Sequence, residues 1–153
     1  MPLTVRITKD FPYLRSYMAR KGMWRAATGN AYRIEDPEKL FNGVHNVFFE
    51  VREDSDPPEK SGRGWIAFCG LAPHIYAMHT MLTTLGQRSI DAMNISIRKM
   101  RKRGATKLIA FFPTSHKAAE QITRRIGFQD DLIFPVINPL PATEPYKFRY
   151  LNL

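Results

Sequence analysis

Short apolar runs in the first half of the chain have the two-residue period of β-strands. LTVRITKD alternates apolar and polar residues from Leu3 onward, which predicts a strand. NVFFEVRED (46–54) and GWIAFCGLA (64–72) predict two more strands, joined by a loop rich in proline, glycine and charge. PHIYAMHTML (73–82) predicts a further strand of this meander.

Apolar residues at a spacing of three and four indicate helices elsewhere. DFPYLRSYMARKG (10–22) predicts a helix, and DPEKLFNG (36–43) predicts a short helical piece. SHKAAEQITRRIG (115–127) predicts another helix that its final glycine ends. The strongest pattern runs from Gly86 to Gly104, with apolar residues at Ile90, Met93, Ile97 and Met100.

Three more strands complete the pattern. KLIAFFP (107–113) is continuously apolar, as in a strand covered on both faces, and FQDDLIFPVI (128–137) and YKFRYLNL (146–153) follow it. This order predicts a mixed α/β (α+β) fold: a central twisted sheet of about seven strands with helices on both faces. Because a helix separates strands 74–82 and 107–113, we expect these two to be parallel neighbours. Residues 1–153 are expected to form a single domain.

Composition excludes several classes of protein. The 44% hydrophobic and 12% aromatic content is typical of a folded chain, and no apolar run approaches the roughly 20 residues of a membrane helix. Charged residues interrupt the amino-terminal segment where a secretory signal needs an apolar core, so we expect a cytoplasmic protein without a membrane partner. The single cysteine, Cys69, excludes an internal disulfide. It is either a buried small hydrophobe, which we favour, or a reactive thiol.

The chain carries a formal charge of +9. Its basic residues cluster in RKMRKRG (98–104) and TRRIG (123–127), at the ends of two predicted helices. Cations there offset the helix dipole, which is the interpretation that we favour. The alternative is a surface that contacts an acidic protein or nucleic acid.

The segment TTLGQRSIDAM (83–93) joins a predicted strand to the strongest predicted helix. A helix start presents unpaired N–H groups and a partial positive charge, so it can bind phosphate. Gly86 would let a ligand approach the backbone, Thr84 and Ser89 could donate hydroxyl groups, and Arg88 could add a charge. The alternative is a plain turn in which Gly86 serves the geometry alone.

The order and lengths of these elements resemble those of the GNAT superfamily of N-acetyltransferases over almost the whole chain. SHKAAEQITRRIGF resembles that family's Asn-x-x-Ala-x-x-x-Tyr-x-x-x-Gly-Phe segment, with Ala119, Gly127 and Phe128 at matching positions. In the family, a Gln/Arg-x-x-Gly-x-Gly/Ala loop after the fourth strand holds the pyrophosphate of acetyl-CoA through backbone amides. The resemblance implies acetyl-CoA as cosubstrate, no metal, and an amine acceptor on a small molecule or protein. The implied cofactor-binding residues are Met81, Leu82, Thr83, Thr84, Leu85, Gly86, Gln87, Arg88, Ser89 and His116.

The chain departs from the family pattern in both segments. With Gly86 as the central glycine, Thr83 takes the Gln/Arg position and Arg88 the closing Gly/Ala position, where a long side chain would crowd the pyrophosphate unless it swings outward. His116 replaces the asparagine. Thr123 replaces the tyrosine that commonly protonates the leaving thiolate, and threonine is a poor acid.

Three residues are candidates for catalysis. His79 titrates near neutrality and lies near the end of a strand where the family places substrate, although we favour a hydrogen-bonded sheet histidine. Glu50 is a second candidate, for which an exposed sheet glutamate is the favoured alternative. His116 could contact the pantetheine arm, or simply belong to a capping segment. The four histidines show no metal-ligand spacing.

Two hypotheses remain for function. The first is an acyl-CoA-dependent N-acyltransferase with a degenerate pyrophosphate loop. The second is a non-catalytic protein on the same fold, similar to bacteriophage-encoded members that serve in assembly or inside the virion, with virion assembly partners and a location in the host cytoplasm or virion. Fold does not decide between them, because function belongs to the site.

Overall fold

The computed structural model describes residues 2–18, 41–83, 86–130 and 146–153. Thr84 and Leu85, most of the helical piece predicted at 36–43 and most of the strand predicted at 128–137 lie outside the described residues. The elements are β1 (Leu3–Ile7), α1 (Phe11–Met18), β2 (Asn46–Glu53), β3 (Gly62–Ala72), β4 (Ile75–Leu82), α2 (Gln87–Lys102), β5 (Lys107–Pro113), α3 (Lys117–Ile126), β6 (Gln129–Asp130) and β7 (Tyr146–Asn152), with a 3-10 turn at Pro58–Lys60.

All seven strands form one sheet in the order β1-β2-β3-β4-β5-β7-β6. Neighbouring strands are antiparallel except for β4 and β5, which are parallel. The predicted mixed α/β fold with a seven-stranded sheet is therefore confirmed, and so is the parallel pairing of the strands on either side of α2.

Each face of the sheet has its own hydrophobic core. The apolar stripe of α2 packs on one face, where Met93, Ile97 and Met100 meet alternate residues of the central strands. Leu14 of α1 packs on the other face with Trp65, whose indole N–H donates to the Leu14 carbonyl at 3.0 Å. The apolar side chains of β2, β3 and β4 alternate between these two cores, as the two-residue period predicts.

Cys69 belongs to the core beneath α1 and is 6% exposed. Burial raises the pKa of its thiol to about 12, so the thiolate needed for nucleophilic chemistry is suppressed. The favoured interpretation of this residue as a buried small hydrophobe is confirmed.

A β-bulge in β2 and a glycine in β3 fix the position of the end of β4. The β2–β3 register shifts between Val51 and Arg52, and Gly64 opposite adopts φ of +115°. The Tyr13 hydroxyl donates to the Gly64 carbonyl at 2.9 Å. A methyl group at Gly64 would lie 1.8 Å from the carbonyl oxygen of Met81 on β4. Glycine is thus required both by the backbone dihedral and by the close approach of the neighbouring strand.

We expect Gly64→Ala to destabilise the fold by about 3 kcal/mol or more, because backbone strain and a clash with a backbone oxygen add together. Gly86→Ala is the matched control, since φ there is also positive, at +66°, but an added Cβ meets nothing within 4 Å. The measurement is chemical denaturation of both variants. Equal losses in free energy of unfolding would contradict a steric role for Gly64.

Candidate functional site

A gap opens in the middle of the sheet because the ladder between β4 and β5 is short. These strands pair only where Ile75–Ala77 faces Lys107–Ile109. β4 stays paired to β3 as far as Leu82, and β5 stays paired to β7 as far as Pro113, so each strand follows its outer neighbour away from the other. Backbone groups that face the gap beyond residues 77 and 109 need partners other than the opposing strand.

The gap forms a cleft of about 260 Å³. Met78, Thr80 and Leu82 reach it from the face of the sheet that carries α2, and His79 and Met81 from the face that carries α1. The cleft therefore passes through the sheet. Its remaining lining comes from the start of α2, from β5 and from α3, as Gly86, Ser89, Met93, Ala110, Phe111, Phe112, His116, Ala118, Ala119, Ile122 and Thr123.

The amino-terminal end of α2 stands open at one side of the cleft. Gly86 is the N-cap and offers no side chain to the first-turn amides, and an added Cβ there would meet no atom of the described residues within 4 Å. Ser89, one turn into the helix, is 3% exposed and also lines the cleft. The first-turn N–H groups and the positive end of a 16-residue helix dipole thus lie beside the cleft, which is the physical requirement for an anion site.

Arg88 turns away from this space. Its guanidinium donates two hydrogen bonds to the carboxylate of Glu53 on β2, with 2.6 Å between Nε and Oε1. These hydrogen bonds raise the pKa of Arg88 further above its usual value. The side chain is not among the residues that line the cleft, so it swings outward, and the guanidinium that could have clamped phosphate is engaged by Glu53.

His79 lies inside the cleft on the α1 side of the sheet and is 4% exposed. Its ring makes an edge-to-face contact with Phe111 of β5, at 5.3 Å between centroids. Phe111 in turn stacks on Phe148 of β7 at 5.7 Å. This aromatic row spans the gap and fixes the imidazole beside it.

His116 lies in the cleft and begins α3. It is the N-cap, and its Nδ1 accepts a hydrogen bond from the backbone N–H of Ala119 at 3.3 Å. An Nδ1 that accepts is unprotonated, so the neutral ring carries its proton on Nε2 and can donate from that atom. The residue at the family's asparagine position therefore combines a capping role with a donor available for a ligand.

Glu50 does not line the cleft. The interpretation of Glu50 as an exposed sheet glutamate is wrong, because the residue is 3% exposed and pairs with the guanidinium groups of Arg6 and Arg52. Both arginines flank it on the sheet, Arg6 directly opposite on β1 and Arg52 two residues along β2. Both carboxylate oxygens of Glu50 are thus engaged by guanidinium groups, and neither is directed at the cleft.

Thr123 faces the cleft, but its hydroxyl is hydrogen-bonded to other residues of α3 and β7. Oγ1 donates to the Ala119 carbonyl at 2.8 Å and accepts from Arg149 of β7 at 2.9 Å. Arg149 is 1% exposed and also donates to the Glu120 carbonyl and to Asp130. The sequence analysis did not identify Arg149, although a lone arginine within the apolar final strand was the available signal.

The basic clusters lie at helix ends, as predicted. Lys99, Arg101 and Lys102 occupy the last turn of α2, and Arg124 and Arg125 the last turn of α3. In the ranges that the structure describes, no helix is long and apolar enough to span a bilayer. The same ranges contain no group of three or more histidine, cysteine or acidic side chains arranged to hold a metal ion.

Solved structures match this fold across nearly the whole chain. The acetyltransferase (GNAT family) from Bacillus anthracis superposes with a TM-score of 0.72 at 15% identity, covering 99% of this chain and 95% of that one. The fold is that of the GNAT acetyltransferases. At such low identity the match establishes the fold and leaves the activity to the site itself.

Two further GNAT-fold matches carry a described activity or ligand. Spermidine N-acetyltransferase from Vibrio cholerae, solved in complex with CoA and spermine, gives a TM-score of 0.74 at 10% identity and covers 98% of this chain and 95% of that one. The ribosomal-protein-S18-alanine N-acetyltransferase from Escherichia coli gives a TM-score of 0.69 at 12% identity, and the match covers 99% of this chain and 94% of that one. No protein-family model matches the chain, and no curated protein matches its sequence.

We expect His116→Ala to lower the free energy of unfolding by about 1 kcal/mol, because the N–H of Ala119 loses its capping acceptor. His116→Asn should retain most of that stability, since asparagine is among the best N-caps. Urea denaturation of the two variants checks this. A cap role is contradicted if both substitutions have the same effect.

Lowering the pH should destabilise the contact between α3 and β7, where Asp130 accepts a hydrogen bond from Arg149. Its hydrogen bond from Arg149 lowers the pKa of Asp130 below the ordinary 3.8, so this contribution is complete above that value and is lost as pH falls through the lower folded pKa. Asp130→Asn should therefore reduce Tm at pH 7 and flatten the decline in Tm below about pH 4. Asp91→Asn is the control, because Asp91 is exposed and its described hydrogen bond comes from the neutral amide of Gln87. Identical acid profiles for wild type and Asp130→Asn would refute the coupling.

Proposed function

We propose that the chain is an acyl-CoA-dependent N-acyltransferase that moves an acetyl group from acetyl-CoA to an amine. The observation that carries this proposal is the open, uncapped start of α2 beside a gap between two diverging strands. An anion site and a channel through the sheet are the two features that a phosphate-bearing, elongated thioester requires.

In this proposal acetyl-CoA lies along the gap between β4 and β5. The pyrophosphate accepts hydrogen bonds from the amides of residues 86–88, and the amide groups of the pantetheine arm pair with the backbone of β4 beyond Ala77, where β5 no longer does. His116 donates from Nε2 to the same arm. The apolar side chains Met78, Met93 and Phe112 surround the methylene groups.

The acceptor amine approaches from the α1 side, where His79 lies. His79 takes a proton from the ammonium group, directly or through water, and the nitrogen lone pair then attacks the thioester carbonyl carbon. The new C–N bond forms as the C–S bond breaks, the nitrogen gives its second proton to solvent, and the CoA thiolate leaves. Thr123 does not supply a proton to it, since its hydroxyl already donates to the Ala119 carbonyl, so solvent protonates the thiolate.

The acceptor is an amine on a small molecule or a protein. Spermine and a ribosomal-protein alanine are named for two matched structures, and the net charge of +9 here favours acceptors or partners with anionic character, including an acidic protein or nucleic acid. We further propose that the chain acts as a single domain in the cytoplasm.

The competing proposal is a non-catalytic protein on the GNAT fold. The hydrogen bond from Thr123 to the Ala119 carbonyl favours it, because the hydroxyl proton at the position of the family's general acid is already donated within the protein. A role in bacteriophage assembly or inside a virion rests on the sequence resemblance alone. The two proposals differ in whether coenzyme A binds and turns over.

Binding of coenzyme A tests the proposal. At about 100 times the dissociation constant, acetyl-CoA should stabilise the fold by roughly 2.7 kcal/mol and raise Tm by several degrees. Gly86→Ala should weaken binding about tenfold or more, because its methyl group enters the space left for the ligand. Gly104→Ala lies at the other end of α2, also at positive φ, and should leave the affinity for acetyl-CoA unchanged. Isothermal titration calorimetry measures both.

Turnover separates the enzyme from its competitor. His79→Gln should abolish acetyl transfer to amine acceptors, assayed with a small-molecule amine and with an acidic protein, while coenzyme A binding stays within about twofold of wild type. If wild-type protein binds neither acetyl-CoA nor free CoA, the acyltransferase proposal fails. If the wild-type protein binds CoA but transfers an acetyl group to no amine, the result favours the non-catalytic proposal.

A further inference from the structure

Arg125 extends one wall of the cleft beyond the residues that line it. Ala118 and Ile122 of α3 face the cleft, and Arg125 lies seven residues after the first and three after the second. Residues at this spacing share one face of a helix. The side chain of Arg125 therefore continues the lining of the cleft by one turn, toward its outer end.

The guanidinium of Arg125 is held beside the start of α2. Its Nη2 donates to Oε1 of Gln87 at 2.9 Å, and the Gln87 amide nitrogen donates to Asp91 at 2.9 Å. Gln87 is the first residue of α2 and directly follows Gly86. The side chain thus bridges α3 and α2 at the point where the open amides lie.

The partner of Arg125 distinguishes it from the other arginines nearby. Arg88 is paired with the carboxylate of Glu53, and Arg124 with that of Glu120 at 3.6 Å. The described partner of Arg125 is instead the neutral amide of Gln87. A phosphate offers the guanidinium an opposite charge and a bidentate geometry, neither of which the amide of Gln87 supplies, so a phosphate would displace Gln87 favourably.

We propose that Arg125 binds a phosphate group of the CoA donor at the outer end of the cleft, opposite the amides of α2. The inference rests on the proposed function and adds a second wall to the phosphate site: a side-chain cation from α3 faces backbone donors from α2. It also assigns the phosphate-binding role considered for Arg88 to a different arginine. Gln87 positions the guanidinium of Arg125 before the CoA cosubstrate binds.

The phosphate has two sources, the pyrophosphate and the 3′-phosphate of CoA. Calorimetric titrations of CoA and of dephospho-CoA into the full chain distinguish them. Arg125→Ala should weaken binding of CoA about tenfold or more, the typical loss of a charged hydrogen bond. It should also reduce the dependence of affinity on salt, because one cation is removed from the site.

Arg124→Ala is the matched control, since it removes the same charge from the adjacent residue of the same helix. It should leave the affinity for CoA within about twofold of wild type, because Arg124 pairs with Glu120. Both arginines are exposed, so both variants should fold, and their Tm values without ligand check this.

Each outcome decides. If Arg125→Ala weakens CoA and dephospho-CoA equally, the guanidinium binds the pyrophosphate, and if it weakens CoA alone, it binds the 3′-phosphate; both results support the inference. The inference is overturned, while the proposed function stands, if wild type binds CoA and Arg125→Ala binds it equally well. The same conclusion follows if Arg124→Ala loses as much affinity for CoA as Arg125→Ala does. If wild type does not bind CoA, both fail together.

Discussion

The interruption of the ladder between β4 and β5 is the constraint on which the rest of the site depends. Three residue pairs hold the two strands together at one end, and each strand then follows its antiparallel neighbour outward. A continuous sheet would have closed this space and satisfied its own backbone. The divergence instead leaves backbone donors and acceptors beside apolar side chains, a surface suited to a ligand that alternates amide and methylene groups.

Charge around the cleft is arranged so that most side-chain cations are occupied. Glu53 holds Arg88, Glu50 holds Arg6 and Arg52, and Asp130 holds Arg149. His116, whose Nδ1 accepts from Ala119, and Arg125, whose described partner is the neutral amide of Gln87, carry no described pairing with a carboxylate and lie near the start of α2. A helix start of this kind binds an anion without a lysine or arginine in the loop itself, so the degenerate loop sequence does not remove the physical basis of the site.

Local sequence patterns predicted the elements because each pattern has a local cause. The spacing of Ile90, Met93, Ile97 and Met100 indicates α2, and the intervening helix required β4 and β5 to be parallel. The site was only partly predictable, since its details depend on partners distant in sequence: Glu53 for Arg88, Arg149 for Thr123. Glu50 was expected to be exposed because nothing nearby in sequence indicated that Arg6 of β1 would cover it.

The most direct test of the central claim uses the methionines as reporters. Met78, Met81 and Met93 line the gap, whereas Met100 is fully buried near the far end of α2. In a titration of methyl-labelled protein followed by NMR, saturating acetyl-CoA should shift the methyl signals of the three cleft methionines and leave that of Met100 in place. Unchanged cleft signals at saturating ligand, or shifts confined to residues outside the gap, would contradict a donor site between the diverging strands.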